Sequence, residues 1–382
     1  MIIGVLKRLL FAVLAVFCYC EYIIYYIVIF QCSWPVLDTR LRNNEFLNPN
    51  NNINALLLSD PHLLGSERGH WFDKLRREWQ MKRSFQTALK FLKPDVVFIL
   101  GDIFDEGMIC GDEEWEDYME RFHDIFHHPR DTELYVVPGN HDIGFHYRMV
   151  SSSWLTRRFK SSFNVTGVRL LNLKENWFVL VNSMAFDQDG CSLCERAEQE
   201  LEQVASKLKC LYNDSDQMKC EHPITSYPFI LQHFPLYRSS EITCTEKDSP
   251  PVEIRFKENR ERWEVLSRSA SKLLLDSLHP QGIFSGHTHH SCHVVHRGKI
   301  PEFTLPSFSW RNRNDPSFVL VIFNPKKFAL QKCYLPQEST VILLYVTVAL
   351  IFLSYICWSQ CRNCFKVFRR RIFYHRKPIK IC

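Results

Sequence analysis

The sequence has no acidic residue in positions 1–8 or 359–382, and no charge of either sign from Thr340 to Trp358. It has no internal repeat, and its composition is otherwise ordinary, with 46% hydrophobic, 14% aromatic and 23% charged residues. Those values exclude a disordered tail, a collagen and a disulfide-stapled miniprotein. The formal charge of +5, from Lys+Arg 47 against Asp+Glu 42, hints only faintly at an acidic partner when read as one number. The absences say more, because they show where the basic excess sits.

From Leu9 to Phe30 nearly every residue is apolar and Glu21 is the only charge. This segment and Thr340 to Trp358 are each long enough to cross a hydrocarbon core of ~30 Å at ~1.5 Å per residue. The first reads as a retained anchor. Its apolar run is too long for a signal peptide, and Tyr and Phe fill the place of a small-residue cleavage site. Glu21 is costly in lipid and is expected to snorkel or to be protonated.

Lys7 and Arg8 at one end, and Arg362, Lys366, Arg369, Arg370, Arg371, Arg376, Lys377 and Lys380 at the other, keep both termini cytosolic. The expected organisation is a cytosolic stretch 1–8, a membrane helix 9–30, a lumenal domain 31–339, a membrane helix 340–358 and a basic tail 359–382. Removing the two basic flanks leaves the remainder slightly acidic. The glycan acceptors Asn164-Val165-Thr166 and Asn213-Asp214-Ser215 fall in the enclosed part, as do nine of the 15 cysteines. Cys191, Cys194, Cys210 and Cys220 read as two disulfides, their pairing left open, stapling a polar insertion of helix and loop on the surface, 187–226.

Within the enclosed part, short apolar runs each end in a polar cluster: Ala55 to Leu58, Val96 to Leu100, Leu134 to Val137, Phe178 to Val181, Phe229 to Leu231, Gly282 to Phe284 and Phe318 to Phe323. Such uninterrupted runs are typical of strands buried on both faces. Between the first two, Trp71 to Leu92 has apolar residues near helical spacing and reads as an amphipathic helix in a βαβ unit, its Lys and Arg forming a solvated face. Ser239 to Arg260 reads as loop.

Five of the runs are followed by Asp, His or Asn: Asp60 and His62; Asp102 and Asp105; Asn140, His141 and Asp142; His233; His287 and His289. One such cluster is an ordinary turn. Five at strand C-ends gather on one sheet edge, where α/β folds assemble their sites. Carboxylates, an amide oxygen and imidazoles, with no thiolate among them, suit Mn²⁺, Fe²⁺ or Zn²⁺. Seven such ligands are too many for one octahedral ion that keeps a position open. They fit two ions sharing a carboxylate, ~3.5–4 Å apart, which clamp both oxygens of a phosphoryl displacement.

Asp60-Pro61-His62, Gly101-Asp102-Ile103-Phe104-Asp105, Gly139-Asn140-His141-Asp142, His233 and Gly286-His287-Thr288-His289 resemble, in order, the five blocks of the calcineurin-like metallophosphoesterase family. The resemblance implies an α/β fold, a two-sheet αββα sandwich, here flanked by two transmembrane helices. It implies that Asp60, His62, Asp102 and His289 hold one ion and Asp102, Asn140, His233 and His287 the second, with manganese the leading candidate. His141 would protonate the leaving oxygen, oriented by Asp105.

Phosphoprotein phosphatases of the family carry an Arg directly after the second Asp of the second block, where it grips a dianionic monoester. Here the position is Glu106, which is expected to repel a dianion and to favour a singly charged phosphodiester. Two spans bracketing the enzyme, Gly144-Phe145-His146-Tyr147, and Pro306 to Asn314 resemble the GPI-anchor-remodelling branch of the family. That branch removes an ethanolamine-phosphate side branch from the glycan of newly made GPI-anchored proteins. It implies those proteins as substrates, no nucleic-acid partner, contact with early-secretory cargo or coat machinery, and residence between endoplasmic reticulum and cis-Golgi. The tail offers Lys380 but Ile379 and Pro378 beside it, an imperfect dilysine signal. Two rivals stand beside this reading. One is another diester or pyrophosphate, nucleotide-linked or a phospholipid head group; the other is a membrane scaffold without turnover, which a missing ligand would mark.

Overall fold

The computed structural model describes residues 2–38, 40, 46–145, 153–186, 191–212 and 226–374. His146, Tyr147, Asn213, Cys220, Lys380 and the side chain of Cys210 lie outside the described residues. The chain divides into two compact units, Tyr25–Leu335 and the terminal pair Met1–Ile24 with Pro336–Cys382.

In the terminal pair, α1 (Ile2–Cys18) is followed by a π-helical turn (Tyr19–Ile23); the continuing α2 (Ile24–Phe30) belongs, except for Ile24, to the larger unit. Two helical stretches, Lys7–Phe30 and Glu338–Arg362, are long and apolar enough to cross a membrane. Glu21 is not left alone among apolar side chains. The Tyr345 hydroxyl, on the C-terminal helix Glu338–Tyr374, donates to its Oε1 at 2.6 Å. That helix runs on past Trp358 to Tyr374, so the basic segment begins as continuous helix where the sequence reads as a separate tail.

The larger unit is built on two mixed sheets. Eleven strands follow in chain order: β1 (Ile53–Leu58), β2 (Val96–Leu100), β3 (Glu133–Val137), β4 (Val168–Leu173), β5 (Asn176–Val181), β6 (Phe229–Gln232), β7 (Gly282–Ser285), β8 (Cys292–His296), β9 (Ile300–Thr304), β10 (Ser317–Asn324) and β11 (Lys327–Tyr334). The first sheet has the order β11-β10-β1-β2-β3 and the second β4-β5-β6-β7-β9-β8. Strand parity explains the unbroken apolar runs. Ala55, Leu57, Phe98 and Leu100 point between the sheets and meet Phe178, Phe229, Leu231 and Phe284, whereas Leu56, Leu58, Val97 and Ile99 point out under helices.

Those helices are α3 (Trp71–Leu92), α4 (Asp112–Ile125), α5 (Ser153–Phe163), α6 (Ser192–Tyr212) and α7 (Arg268–Leu278). α3 is the crossover between parallel β1 and β2, and α7 the crossover between parallel β6 and β7. They therefore lie in opposite outer layers. The helix expected within 187–226 forms as α6, but it is not confined to the surface: Ala197, Leu201 and Leu208 are buried in the core, and Cys191 is bonded to Cys194. Two further disulfides, Cys32 to Cys333 and Cys244 to Cys292, join distant segments; the first closes the unit near its two ends.

The inter-sheet core is centred on Phe229, whose ring lies 4.5 Å from that of Phe323, 5.3 Å from Phe328 and 5.8 Å from Phe178. Phe229→Ala is expected to cost about 3–5 kcal/mol, read as a lowered thermal midpoint of the detergent-solubilised protein; an unchanged midpoint would contradict this packing.

Candidate metal centre

The parallel direction of β1, β2 and β3, and of β5, β6 and β7, brings their C-terminal ends to one edge of the sandwich. Asp60 and His62 follow β1, Asp102 and Asp105 follow β2, and Asn140 opens a single helical turn (Asn140–Ile143) after β3. His233 follows β6, while His287 and His289 follow β7. Backbone pairing continues past the strands: the amides of Asp60 and His62 donate to Gly101 and Asp102 carbonyls at 3.1 and 3.0 Å, and the Gly286 amide donates to His233 O at 2.8 Å.

Asp60, His62, Asp102, His287 and His289 all have positive φ, between 48° and 72°. A non-glycine residue there is held against a cost of roughly 1–3 kcal/mol. Five such residues at one edge mark a place where side-chain aim overrides backbone preference. Close approach also demands glycine at two positions. A Cβ on Gly286 would run into Ser59 Oγ, and one on Gly139 would strike Asp102 Oδ1 and its amide.

The side chains converge as two donor sets that share Asp102. Its Oδ2 lies 3.5 Å from His62 Nε2 and 3.3 Å from His233 Nε2. On one side Asp60, His62, Asp102 and His289 bring one donor atom each into a group within 4.8 Å of one another, and on the other Asp102, His233 and His287 do so. Asn140 Oδ1 completes the second set, 3.2 Å from His233 Nε2. All seven sequence-predicted ligands are thus brought together.

Three of the four candidate imidazole ligands are aimed by their outer nitrogens. His62 Nδ1 pairs with Asp105 Oδ1 at 3.0 Å, His233 Nδ1 with Leu100 O at 2.7 Å, and His287 Nε2 with Trp263 O at 2.6 Å. These partners turn His62 Nε2, His233 Nε2 and His287 Nδ1 inward, as a hydrogen bond at the outer nitrogen orients a metal-ligating histidine. Buried Asp60 Oδ1 and His287 Nδ1 have no hydrogen-bond partner, and His62 Nε2 faces His289 Nε2 at 3.1 Å. Orphaned acceptors and facing lone pairs fit divalent cations, and the donor chemistry fits a pair of them.

The field among these side chains is strong. Burial works against charge on His62, but its bonds to Asp105 and Asp60 and the charge of Asp102 raise its pKa to about 10. His233 is likewise opposed by burial and lifted to about 9 by Asp102. His287 goes the other way, to about 3, through burial and the charge of His233. Burial penalises Asp102 too, and the surrounding histidines overcome it and hold the carboxyl well below its ordinary value.

Two buried donor sets sharing a carboxylate at the strand ends of a double-sheet sandwich define a metal-dependent phosphoesterase. The chain belongs to the calcineurin-like phosphoesterase family, whose model matches residues 53–291. It is 47% identical over 347 residues to Metallophosphoesterase 1 of Danio rerio, covering 90% of this chain and 89% of that one. Identity to Metallophosphoesterase 1 of Ailuropoda melanoleuca is 49% (88% and 85% covered), and to that of Rattus norvegicus 46% (94% and 93%). Solved structures that resemble it include a dimetal phosphatase of Danio rerio, at 12% identity and TM-score 0.41 over 75% of this chain and 99% of that one. Another is the Plasmodium inner-membrane-complex anchor GAP50, at 11% identity and TM-score 0.43 over 78% and 95%.

Three details differ from the expectations. Asp105 does hold His141, but by its main-chain carbonyl, 2.8 Å from His141 Nδ1; its carboxylate is 3.9 Å from that atom and is committed to His62. The reason is reach: the short side chain is turned into the buried side of the loop, where His62 stands. Glu106 does not confront a substrate, since it is buried and accepts the amides of Glu67 and Arg68 at 3.1 and 2.6 Å. Arg311 instead comes to the site edge, its Nη2 3.5 Å from Asp105 Oδ2, and Asn312 Nδ2 lies 3.5 Å from His289 Nε2. The role of the Trp263 carbonyl had no signal in sequence, because any residue supplies one.

Cation and proton compete for the same inward nitrogens. Metal-free protein is therefore expected to release protons on taking up Mn²⁺, with affinity falling up to about tenfold per pH unit for each proton displaced. Calorimetry in buffers of different ionisation heat measures this; uptake without proton release would contradict it. Gly139→Ala is expected to push Asp102 aside and to lower the metal content of the purified protein, read by elemental analysis.

Proposed function

We propose that this chain is a membrane-anchored two-metal phosphodiesterase that removes the ethanolamine-phosphate side branch from GPI glycans on newly made proteins, promoting their passage from endoplasmic reticulum to Golgi. Its catalytic part faces the lumen. The basic flanks, the acceptors Asn164 and Asn213, and the disulfides Cys32 to Cys333, Cys191 to Cys194 and Cys244 to Cys292 support that orientation.

The observation that carries the diester preference is the pairing of the guanidinium at the site edge with a carboxylate. The buried Glu106 ties down residues 67–68, and the guanidinium at the edge is Arg311, which shares its charge with Asp105. A site whose edge charge is already half-neutralised matches a phosphate bearing one negative charge better than one bearing two.

Asp60, His62, Asp102 and His289 would hold one cation, and Asp102, Asn140, His233 and His287 the other. Bound there, the cations supply charge neutralisation at the phosphoryl oxygens and acidify water for in-line attack. The chain supplies the rest. The Asp105 carbonyl fixes the proton of His141 on Nδ1, so Nε2 is the atom that passes a proton to the departing oxygen. Arg311 steadies a non-bridging oxygen, and Asp105 keeps His62 in its ligating tautomer.

Asp102→Asn is expected to abolish hydrolysis while the protein stays glycosylated and membrane-bound; retained activity would refute the paired-metal reading. Glycosidase treatment should shift the mass by two glycans, and an unshifted band would reverse the orientation. Deleting the protein should leave extra ethanolamine-phosphate on GPI glycans by mass spectrometry, and unaltered glycans would redirect the search to nucleotide-linked or phospholipid diesters.

A further inference from the structure

On α3 the core-facing residues Gln80, Met81, Ser84, Phe85, Ala88 and Leu92 are buried, so the outward face lies opposite them. Phe72, Trp79, Arg83 and Lys90 fall along that outward face at steps of seven, four and seven residues, one line on an α-helix. The C-terminal half of the line is covered by the end of the first apolar helix. Tyr26 lies under Arg83 and Lys90, with its ring 5.8 and 5.9 Å from the two cations, and it packs edge-on against Phe91 at 5.8 Å. Phe30 meets the same Phe91 ring at 6.1 Å, while Ile29 is fully buried in the core.

The N-terminal half carries Trp71, Phe72 and Leu75, which are 68%, 49% and 57% exposed. Six basic residues accompany them on the helix against two acidic ones. Aromatic and aliphatic side chains among Lys and Arg are the composition of helices that lie in a lipid–water interface.

We propose that the outward face of α3 rests in the head-group region of the membrane that the first apolar helix crosses, with Trp71, Phe72 and Leu75 entering the lipid boundary. The inference rests on reading Leu9 to Phe30 as a membrane span. The continuity decides the occupant: a segment that leaves the bilayer at Phe30 is packed on one half of the line, so the other half, at the same face, meets the bilayer surface. A protein partner would have no such reason to be there.

The consequence reaches the metal centre. Buried Gln80 of α3 donates to Phe308 O at 3.2 Å and accepts from the Trp310 amide at 3.2 Å, and Arg76 sits 5.9 Å from the Trp310 ring. The next residue, Arg311, is the one that touches Asp105. The helix that lies on lipid thus carries the loop bordering the site, which suits a diester borne close to a membrane surface.

The test uses the full chain reconstituted in phosphatidylcholine vesicles, with Phe72, Leu75 or, as control, exposed Lys272 of the opposite layer replaced by a benzophenone amino acid. Photolysis is expected to give lipid adducts at 72 and 75 at least about ten-fold above those at 272, counted by mass spectrometry. Each variant must first match the parent in thermal unfolding, and either position alone suffices for the comparison. Equal yields at all three positions, or adducts to protein in place of lipid, overturn the proposal. Alkaline carbonate extraction separates the two readings: a chain released from the vesicles refutes the membrane span itself, whereas a retained chain without lipid adducts refutes only the docking of α3.

Discussion

Asp102 is the constraint on which the site depends. It is a carboxylate buried at the end of β2, placed by a positive-φ residue position and by a glycine across from it, and it stands between His62 of one sheet edge and His233 of the other. Without compensation, a charge so buried would cost several kcal/mol. The histidines provide that compensation in the bare site, and cations would provide it in the loaded one. The same residue therefore holds the two sheets' loops in register and makes their edge a place for positive charge.

The second layer around the site is made mostly of main chain. Leu100 O, Trp263 O and Asp105 O aim His233, His287 and His141, and Asp105 is the carboxylate that does the same for His62. Carbonyls at strand ends and in loops are rigid because their own peptide units are pinned by the continuing ladders. Pre-organised aim of this kind is what a phosphoryl transfer catalyst requires, since most of its contribution is positioning and charge. At position 106 a buried acid supports the loop at residues 67–68, and the guanidinium at the site edge is that of Arg311, from another segment.

Much of the architecture was legible along the chain. The seven apolar runs became β1, β2, β3, β5, β6, β7 and β10, nearly all of them buried on both faces, with β3 at a sheet edge and buried only at its C-terminal end; the Trp71 to Leu92 pattern became α3 with the same ends. β4, β8, β9 and β11 were missed. β8 alternates buried and exposed residues and β11 is mostly half-exposed, so at sheet edges the continuous apolar signal is broken by polar residues. The helix in the polar stretch around Ser192–Tyr212 was expected but its burial was not, because only a few alanines and leucines at helical spacing cover the second sheet.

The convergence of the seven candidate ligands was legible in the sequence: their residue types and their place after apolar runs are local properties, and strand ends of parallel sheets must share an edge. What each neighbour does was decided in three dimensions. Glu106 facing amides rather than solvent, Asp105 dividing its carboxylate and carbonyl between two histidines, and Arg311 arriving from more than two hundred residues away are outcomes of loop packing. No local pattern encodes them, because hydrogen-bond partners depend on which backbone and side-chain atoms are brought within about 3 Å, and that is a property of the folded chain.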